Sequence, residues 1–317
     1  MSGKNATETV VADAKGIARA ANILADGGLV AVPTETVYGL AARADSDEAV
    51  ARIYEAKGRP SFNPLIVHVR DAEQAARYAR LEGDADRLAR TVWPGPLTLV
   101  LPRREDAGLA AAVTAGLPTV ALRAPAHPAM RALLAACDFP LAAPSANRSG
   151  FISPTRAEHV SASLDGRIGL ILDAGPCEEG VESTILAIRE DGRWDELRPG
   201  PVDLDALHQR LFDASRESGG AGDAIEAPGQ LASHYAPGKP VRLNAAAAEA
   251  DEFMIGFGDV AGHCSLSLTG DLGEAAARLY ACLHEAARSD LPRVAVAPVP
   301  EAGIGVAIND RLRRAAA

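Results

Sequence analysis

The strongest candidates for binding an anion lie in one short tract, Lys57-Gly58-Arg59-Pro60. Lysine offers a point charge, arginine offers a planar fork of N–H donors, and glycine lets the backbone approach a ligand closely. The tract therefore predicts a clamp for a polyphosphate. The alternative is that the two cations only stabilise the C-terminal end of the preceding helix through its dipole. Charge chemistry alone leaves both interpretations open.

A second polar tract, LAAPSANRSGFISP, covers residues 141–154. A short apolar strand is predicted to run into it. Ser145, Asn147 and Ser153 would then follow the strand end as neutral hydrogen-bonding groups around a ligand. The same composition is typical of an ordinary loop, because serine, asparagine, glycine and proline are good turn formers.

Two further tracts place polar side chains at the ends of predicted strands. A Thr-Glu-Thr tract at residues 34–36 lies between two short apolar strands, and a Glu-Ser-Thr tract at residues 182–184 opens another. Arg198 precedes a Pro-Gly turn, where its guanidinium could bind an anion. Ligands of α/β sheets bind at strand ends and in the loops that leave them, so these tracts are candidate site residues.

The sequence lacks the motifs of several common chemistries. His68 stands alone in an apolar strand with no nucleophile or acid at a recognisable spacing, which excludes a catalytic triad. Neither a Walker A motif nor HExxH occurs, so a P-loop nucleotide site and a zincin-type metal site are excluded. Residues 256–261 match a relaxed dinucleotide-binding pattern, but a strand is predicted after them where a helix is required.

Short apolar strands alternate with amphipathic helices along most of the chain, which predicts an α/β fold. Asp13 is predicted to cap a first helix that ends at Gly27-Gly28. Asp45 and Glu48 predict a capping box for a second helix, which ends near Ala56. The predicted strands are Leu29–Val32, Val37–Ala41, Leu65–Val69, Leu97–Leu101, Thr119–Leu122, Pro140–Ala143, Leu170–Leu172 and Thr184–Ile188. The further predicted helices cover residues 71–80, 84–92, 127–137, 155–163 and 203–212.

Charge balance and cysteine content narrow the class of protein. Asp and Glu total 42 against 32 Lys and Arg, a net charge of −10, and an acidic chain is a poor non-specific binder of nucleic acid. The four cysteines show no zinc or redox spacing, which favours buried free thiols in a reducing cytosol. The N-terminal residues lack the apolar run of a signal peptide, and no segment is predicted to span a membrane. We therefore expect a cytoplasmic globular protein.

A change in composition divides the chain after the first two thirds. Residues 215–240 are rich in Gly, Ser, Ala and Pro without apolar periodicity, which is typical of a linker. The aromatic pair His234-Tyr235 inside it is either incidental or docks onto a neighbouring surface. Beyond it, strands near 253–257, 264–268 and 294–297 alternate with helices at 272–288 and near 304–314. The predicted organisation is a domain at 1–213, a linker at 214–240 and a small α/β domain at 241–317.

Five tracts together are more specific than any one of them alone. PTETVYGL, KGRPSFNPLIVHV, PSANRSG, ESTIL and LRPG follow each other in this order between Pro33 and Gly200. Over residues 13–212 this set resembles the YrdC-like family of L-threonylcarbamoyl-AMP synthases, and the linker and C-terminal domain resemble its long, two-domain form. The resemblance implies a twisted, mixed sheet with surrounding helices and a large concave site, followed by the linker and a Rossmann-like domain.

The resemblance also implies a nucleotidyltransferase reaction, in which L-threonine, bicarbonate and ATP give threonylcarbamoyl-AMP and pyrophosphate. The product is the donor for threonylcarbamoyladenosine formation beside the anticodon of ANN-decoding tRNAs, and other proteins perform that transfer. Mg²⁺, bound mainly through ATP phosphates, is the implied cofactor, because such an ion needs few protein carboxylates. No covalent enzyme intermediate is required, so positioning and charge stabilisation would supply most of the acceleration.

The same resemblance assigns individual residues to two binding sites. The implied threonine site comprises Thr36, His68, Arg123, the Ala143 backbone and Ser183. The implied ATP site comprises Lys57, Arg59, Asn63, Thr119, Ser145, Ser153, Arg198 and Tyr235. Arg123 would bind the substrate carboxylate, and Tyr235 would cover the nucleotide as a lid. The resemblance assigns neither a general base nor a protein metal ligand.

Three alternative functions remain at this point. A double-stranded-RNA-binding module of the same fold would contact RNA, which the acidic charge disfavours. A carbamoyl-adenylate-forming maturation enzyme would carry acylphosphatase and Cys-rich zinc segments, and a sugar-phosphate lyase of related fold would lack the ordered motifs. Each alternative has its own test. An RNA-binding module would retain RNA in a salt-dependent way without ATP. The maturation enzyme would depend on carbamoyl phosphate, and the lyase would turn over its substrate without ATP.

Overall fold

The structure, a computed structural model, describes residues 6–211, 226–230 and 233–317. The helices in these ranges are α1 (Ala14–Ala25), α2 (Asp47–Lys57), α3 (Ala72–Ala75), α4 (Asp84–Val92), α5 (Ala111–Thr114), α6 (Pro128–Ala136), α7 (Ala157–Leu164), α8 (Leu204–Leu211), α9 (Leu272–Arg288) and α10 (Gly305–Ala315). The strands are β1 (Glu8–Val11), β2 (Val30–Val32), β3 (Gly39–Arg43), β4 (Ile66–His68), β5 (Leu97–Pro102), β6 (Thr119–Arg123), β7 (Leu141–Ala142), β8 (Leu170–Asp173), β9 (Thr184–Ile188), β10 (Trp194–Arg198), β11 (Val241–Arg242), β12 (Glu252–Gly256), β13 (Cys264–Ser265) and β14 (Arg293–Val296). None of these helices is long and apolar enough to cross a membrane.

The larger sheet is mixed and has the strand order β1-β8-β2-β3-β7-β4-β6-β5-β9-β10. At its centre β4 runs parallel to β6, and β7 runs antiparallel to both β3 and β4. Apolar clusters cover its two faces: in β2, Ala31 belongs to one cluster while Val30 and Val32 belong to the other. This division follows from the two-residue period of a strand. The predicted twisted mixed sheet with surrounding helices is confirmed.

Asp13 caps α1 as predicted, because its carboxylate accepts the backbone N–H of Gly16 at 2.8 Å. The predicted capping box of α2 is wrong. Ser46, not Asp45, is the cap of α2, and its hydroxyl accepts the Ala49 N–H at 3.3 Å. Asp45 instead accepts a hydrogen bond from Arg43 Nε at 2.7 Å, so this carboxylate is committed to the side chain of the preceding strand.

Both edge strands of the larger sheet escape prediction from the sequence. β1 is largely exposed and pairs only with β8, while β10 carries charged side chains and pairs only with β9. Backbone pairing rather than an apolar pattern defines such strands, and charged residues are typical of exposed edges. The helix predicted at 71–80 covers only Ala72–Ala75.

The smaller sheet is parallel, with the order β11-β14-β12-β13, and α9 and α10 pack with it. Its apolar core extends into the larger part of the chain, since Val37, Ile152 and Val181 belong to the same cluster as Leu279 and Ile308. The two sheets are therefore joined by continuous packing. The predicted boundary at residues 213–214 lies outside the described residues, and the division of the chain at 214–240 stays a prediction.

Candidate active site

A small pocket lies where β4 and β6 end, near the middle of the larger sheet. Its walls are the loop after β2, Arg59 after α2, the segment after β7, the residues before β9, the end of β10, and parts of the segments 226–230 and 233–236. The cavity volume is about 40 Å³, which accommodates a few water molecules but no nucleotide.

All five residues predicted to bind threonine line this pocket. Pairing of β4 with β6 places His68 directly opposite Arg123. Ala143 follows β7, Ser183 precedes β9, and Thr36 lies in the loop between β2 and β3. The order of strands in the sheet thus brings together residues that lie far apart along the chain.

The guanidinium of Arg123 is held on several sides. Its Nη1 donates to Thr36 Oγ1 at 2.9 Å, its Nη2 to Glu35 Oε1 at 2.6 Å, and its Nε to the Gly95 carbonyl at 3.3 Å. Burial alone would raise the pKa of Glu35, but the neighbouring guanidinium outweighs it and lowers the pKa below its ordinary value. The two side chains form a buried ion pair that fixes the orientation of the arginine.

His68 is a neutral group in the wall of the pocket. Burial, and then the charge of Arg123, lower the pKa of His68 to about 3. Its Nδ1 is buried and has no hydrogen-bond partner among the described residues. A histidine this hard to protonate is a poor proton acceptor, but its ring nitrogen remains available to hydrogen-bond a ligand.

Lys57 and Arg59 are buried, and their described partners are neutral oxygens. Lys57 Nζ donates to the carbonyls of Ser145 and Asn147. Arg59 donates to the carbonyls of Asn63 and Pro64 at 3.2 and 2.9 Å. Burial lowers the pKa of Lys57 well below its ordinary value and that of Arg59 to about 10. An anion at this place would offset that penalty.

Arg198 lines the pocket, as Arg59 does, and it too is a buried cation without an ion pair among the described residues, whereas Lys57 lies behind the wall. Its Nε and Nη2 donate to the Ser183 carbonyl at 3.1 and 2.9 Å, and its Nη1 donates to the Pro228 carbonyl at 3.2 Å. Burial lowers the pKa of Arg198 as well. Three cations whose hydrogen bonds end on neutral oxygens make this region strongly attractive to a polyanion.

The remaining residues of the predicted ATP site lie at different depths. Ser145 lines the pocket, whereas Asn63 is buried beside Arg59 and its Oδ1 has no partner among the described residues. Ser153 is buried behind the wall and donates to Glu182 Oε1 at 2.6 Å. Thr119 starts β6, at the end of the strand away from Arg123, and does not line this pocket. A role for Thr119 at the nucleotide stays a prediction.

Tyr235 closes the pocket from the segment predicted to be a linker. The residue has a positive φ of 65° and is only 1% exposed. Its ring lies 5.5 Å from the ring of Tyr280. The neighbouring His234 is anchored through its N–H, which donates to the Arg314 carbonyl at 3.1 Å. The aromatic pair is therefore docked, which decides between the two interpretations left open by the sequence.

Glu182 also lies on the pocket wall and is held by side chains of the smaller sheet's helices. Tyr280 Oη on α9 lies 2.8 Å from Glu182 Oε2, and Arg311 Nε on α10 donates to the same oxygen at 2.9 Å. Burial raises the pKa of this carboxyl, but Arg311 and Arg198 more than compensate and hold it at about 2. Glu182 is thus an ionised, buried carboxylate.

Comparison with known proteins identifies the family of the chain. Residues 22–200 match the Sua5/YciO/YrdC family model, described as Telomere recombination. The chain belongs to the Sua5/YciO/YrdC family. Residues 202–317 match a second model, described as the C-terminal domain of threonylcarbamoyl-AMP synthase. The two matched regions correspond to the larger and the smaller sheet.

Relatives and solved structures in the Sua5/YciO/YrdC family match over nearly the whole chain. The threonylcarbamoyl-AMP synthase of Bacillus subtilis is 40% identical over 326 residues, covering 95% of this chain and 92% of the relative. The Pyrococcus abyssi enzyme of the same name is 38% identical and covers 93% and 92%. The crystal structure of P. abyssi Sua5 complexed with L-threonine has a TM-score of 0.85 at 37% identity, covering 95% and 94% of the two chains.

The sequence analysis assigned no individual role to several side chains that lie around the pocket. Glu35 and Glu182 stand in tracts already singled out, and the available signal is a carboxylate flanked by hydroxyl residues. Arg311 lies on the apolar face of α10, between Ile308 and Leu312, so a charge on an apolar stripe is its only signal. Tyr280 on α9 gives no signal of this kind.

Proposed function

We propose that the protein is a threonylcarbamoyl-AMP synthase that converts L-threonine, bicarbonate and ATP into threonylcarbamoyl-AMP and pyrophosphate. Relatives named for this activity match nearly the whole chain, which supports it over the RNA-binding alternative. The observation that carries the proposal is the group of Lys57, Arg59 and Arg198, whose described partners are neutral oxygens. The phosphates of ATP would supply the missing negative charge.

In this proposal the amino acid binds in the inner part of the pocket. Arg123, pinned by Glu35, presents its guanidinium to the threonine carboxylate. The hydroxyls of Thr36 and Ser183 and the Ala143 backbone offer further hydrogen bonds, and His68 offers a neutral ring nitrogen. The solved structure of P. abyssi Sua5 is a complex with L-threonine, which supports an amino-acid site in this fold.

The reaction needs positioning more than a protein nucleophile. The ammonium group of threonine first gives up a proton, and the resulting amine attacks bicarbonate and, with loss of water, gives a carbamate. A carbamate oxygen then attacks the α-phosphorus of ATP, and a new O–P bond forms as the bond to pyrophosphate breaks. Lys57, Arg59 and Arg198 hold the phosphates, with hydrogen bonds from Asn63, Ser145, Ser153 and Thr119 as the predicted complement. The cations stabilise the charge that develops on the leaving pyrophosphate.

Mg²⁺ is expected to enter with ATP rather than in a protein-held site. Among the described residues no group of three or more His, Cys, Asp or Glu could hold a metal ion. In our proposal the ligands of this ion are phosphate oxygens and water, as is common for Mg²⁺ in nucleotide enzymes.

Tyr235 acts in this proposal as a lid that must move before ATP binds. A cavity of about 40 Å³ is far too small for a nucleotide, and Tyr235, His234 and Gly229 fill its outer side. Movement of this segment would open the space above Arg59 and Arg198, and its return would exclude water during the reaction.

We further propose that the product is passed to separate proteins that modify tRNA, so that tRNA is an indirect partner. The net charge of −10 fits a protein that does not itself hold tRNA tightly. We place this activity in the cytoplasm, where ATP, bicarbonate and tRNA are available. The cysteines among the described residues are free thiols, in agreement with a reducing compartment.

Pyrophosphate release with single omissions tests the proposed function. The full chain is incubated with ATP and Mg²⁺, and threonine or bicarbonate is left out in turn, with mass detection of the adenylate. We expect release only when both are present, together with the mass of threonylcarbamoyl-AMP. Release that needs neither substrate would overturn the proposal.

A further inference from the structure

Glu182 presents a problem for any site that binds a triphosphate. It is the only acidic side chain among the described residues that line the pocket, where Arg59, Arg123 and Arg198 provide positive charge. An uncompensated carboxylate there would repel the phosphates. It would also compete with them for the guanidinium of Arg198, whose charge already acts on Glu182.

The smaller sheet's helices supply the groups that satisfy this carboxylate. Arg311 Nε donates to Glu182 Oε2 at 2.9 Å, and Tyr280 Oη lies 2.8 and 3.0 Å from the two carboxylate oxygens. The third contact is the hydroxyl of Ser153 at 2.6 Å. Arg311 and Tyr280 are fully buried, so solvent screens the pairing little.

Close backbone packing fixes Glu182 where these side chains can reach it. Gly180 has a positive φ of 71°, and a Cβ there would lie only 2.3 Å from the Ala276 carbonyl oxygen of α9. Gly200 is packed just as closely, since a Cβ would lie 2.3 Å from the Thr184 backbone nitrogen and 2.8 Å from the Glu182 carbonyl oxygen. Arg311 also donates to the Pro199 carbonyl at 2.9 Å, which ties α10 to the turn after Arg198.

We propose that Arg311 and Tyr280 are positioning residues for ATP, which hold Glu182 away from Arg198 and so leave Arg198 free to bind the phosphates. The C-terminal part of the chain thereby completes a nucleotide site whose cations all come from the larger sheet's part. This inference rests on the proposed function for the identity of the anion. It gives the C-terminal helices a task in catalysis that stability alone would not require.

A second contact supports the same assignment. The side chains that bind Glu182 also flank Tyr235, because the Arg311 guanidinium carbon lies 5.7 Å from the centre of its ring and the Tyr280 ring lies at 5.5 Å. Arg311 and Tyr280 therefore contact both the Glu182 carboxylate and the Tyr235 ring.

A set of variants of the full chain tests the proposal. Arg311→Met removes the charge at similar length, Glu182→Gln removes the carboxylate, and the double variant removes both. Arg313→Met is the matched control, because Arg313 lies on the same helix, is exposed and pairs with Glu301. ATP affinity is measured by calorimetry, and the KM values of ATP and threonine and the thermal midpoint are measured beside it.

We expect Arg311→Met to weaken ATP binding by about tenfold or more while the KM of threonine changes by about twofold or less. The double variant should recover ATP affinity to within about threefold of the wild type, because a neutral amide does not compete for Arg198. The control should match the wild type. A merely structural ion pair would also recover in the double variant, but its loss in Arg311→Met would lower the thermal midpoint and raise the KM of threonine and of ATP alike. The selective loss of ATP affinity distinguishes the positioning role.

Two results would overturn the inference: wild-type ATP affinity in Arg311→Met, or a double variant no better than Arg311→Met. If Arg311→Met does not fold, Tyr280→Phe decides, because it removes only one hydroxyl; we expect ATP affinity to fall about two- to fivefold, and an unchanged affinity overturns the proposal. If the wild-type protein binds ATP but makes no threonylcarbamoyl-AMP, the proposed function fails while the role of Arg311 is still decided by ATP affinity.

Discussion

Arg123, which we propose to bind the threonine carboxylate, is held in one orientation by its neighbours in the structure. Its guanidinium is oriented by Glu35, Thr36 and the Gly95 carbonyl, so little freedom is lost when a carboxylate binds. Lys57, Arg59 and Arg198 are held in the same way by neutral oxygens. Fixed donors in a buried place stabilise charge more strongly than mobile ones in water.

Replacing Arg123 with lysine should therefore impair threonine more than ATP. Lysine keeps the charge but cannot hold the planar contacts to Thr36 and Glu35. We expect the KM of threonine to rise by about tenfold or more with the affinity for ATP nearly unchanged. Steady-state kinetics with each substrate varied would check this, and equal effects on both substrates would show that Arg123 serves a different ligand.

Replacing Arg59 with alanine should impair ATP more than threonine. The change removes a buried cation predicted to bind phosphate, so the KM of ATP should rise by about tenfold and turnover should slow. Arg90→Ala, which removes an exposed arginine paired with Asp86, is the control. Unchanged kinetics in Arg59→Ala would remove this residue from the site.

At the scale of elements, the pocket depends on segments that pack closely against each other. The loop before β9 touches α9 at Gly180, and the segment at 233–236 docks between β-sheet loops and α10. These contacts join the two sheets around the pocket. Their loss would change the shape of the site without removing any of its side chains.

Comparing Gly180→Ala with a control glycine should separate the cost of backbone strain from the cost of the clash with α9. The residue has a positive φ, and its Cβ would meet the backbone of α9 at 2.3 Å. Gly175→Ala is the matched control, because φ is also positive there but nothing lies within 4 Å. We expect the control to lose about 1 kcal/mol of unfolding free energy, and Gly180→Ala about 3 kcal/mol or more.

Denaturant unfolding of both variants measures these losses, and ATP affinity is measured on the same samples. Gly180→Ala should also weaken ATP binding, since Glu182 lies two residues away. Equal losses of unfolding free energy in the two variants would mean that α9 does not pack closely against the loop at Gly180.

The sequence predicts those parts of the fold and the pocket that depend on residues close together along the chain. The bounds of α9 follow from its helical periodicity and capping by Asp271, and the central strands follow from short apolar runs. The cap of α2 depends on which of two neighbouring residues turns towards the helix, so Ser46 replaces Asp45. The pairing of Arg311 with Glu182 spans 129 positions, and no local pattern specifies so distant a contact.

At the scale of the whole molecule, three buried histidines and the partly buried His284 make the free energy of unfolding sensitive to acid. Burial lowers the pKa of His68, His159 and His234 to about 3 and that of His284 to about 4, from an ordinary value of 6.5. His159 and His284 stack at 3.9 Å between α7 and α9. Protonation of either ring would place a charge in the contact between the two parts of the chain.

The unfolding free energy should therefore decrease as the pH falls from about 6.5. Below that pH the unfolded histidines bind protons while the folded ones stay neutral, so each costs up to about 1.4 kcal/mol per pH unit. Urea unfolding between about pH 7 and pH 5 measures this slope. Replacing His284 with glutamine should make the slope shallower by about one proton. A stability that is flat over this range would contradict the burial of these histidines.

In the proposed reaction, one pocket joins threonine, bicarbonate and ATP. The most direct test is mass spectrometry of the adenylate formed from ¹³C-bicarbonate, L-threonine and ATP by the full chain. Our account predicts that the label lies in the threonylcarbamoyl group attached to AMP, with one pyrophosphate released for each adenylate. An unlabelled threonine adenylate, or pyrophosphate release without any labelled adenylate, would contradict it.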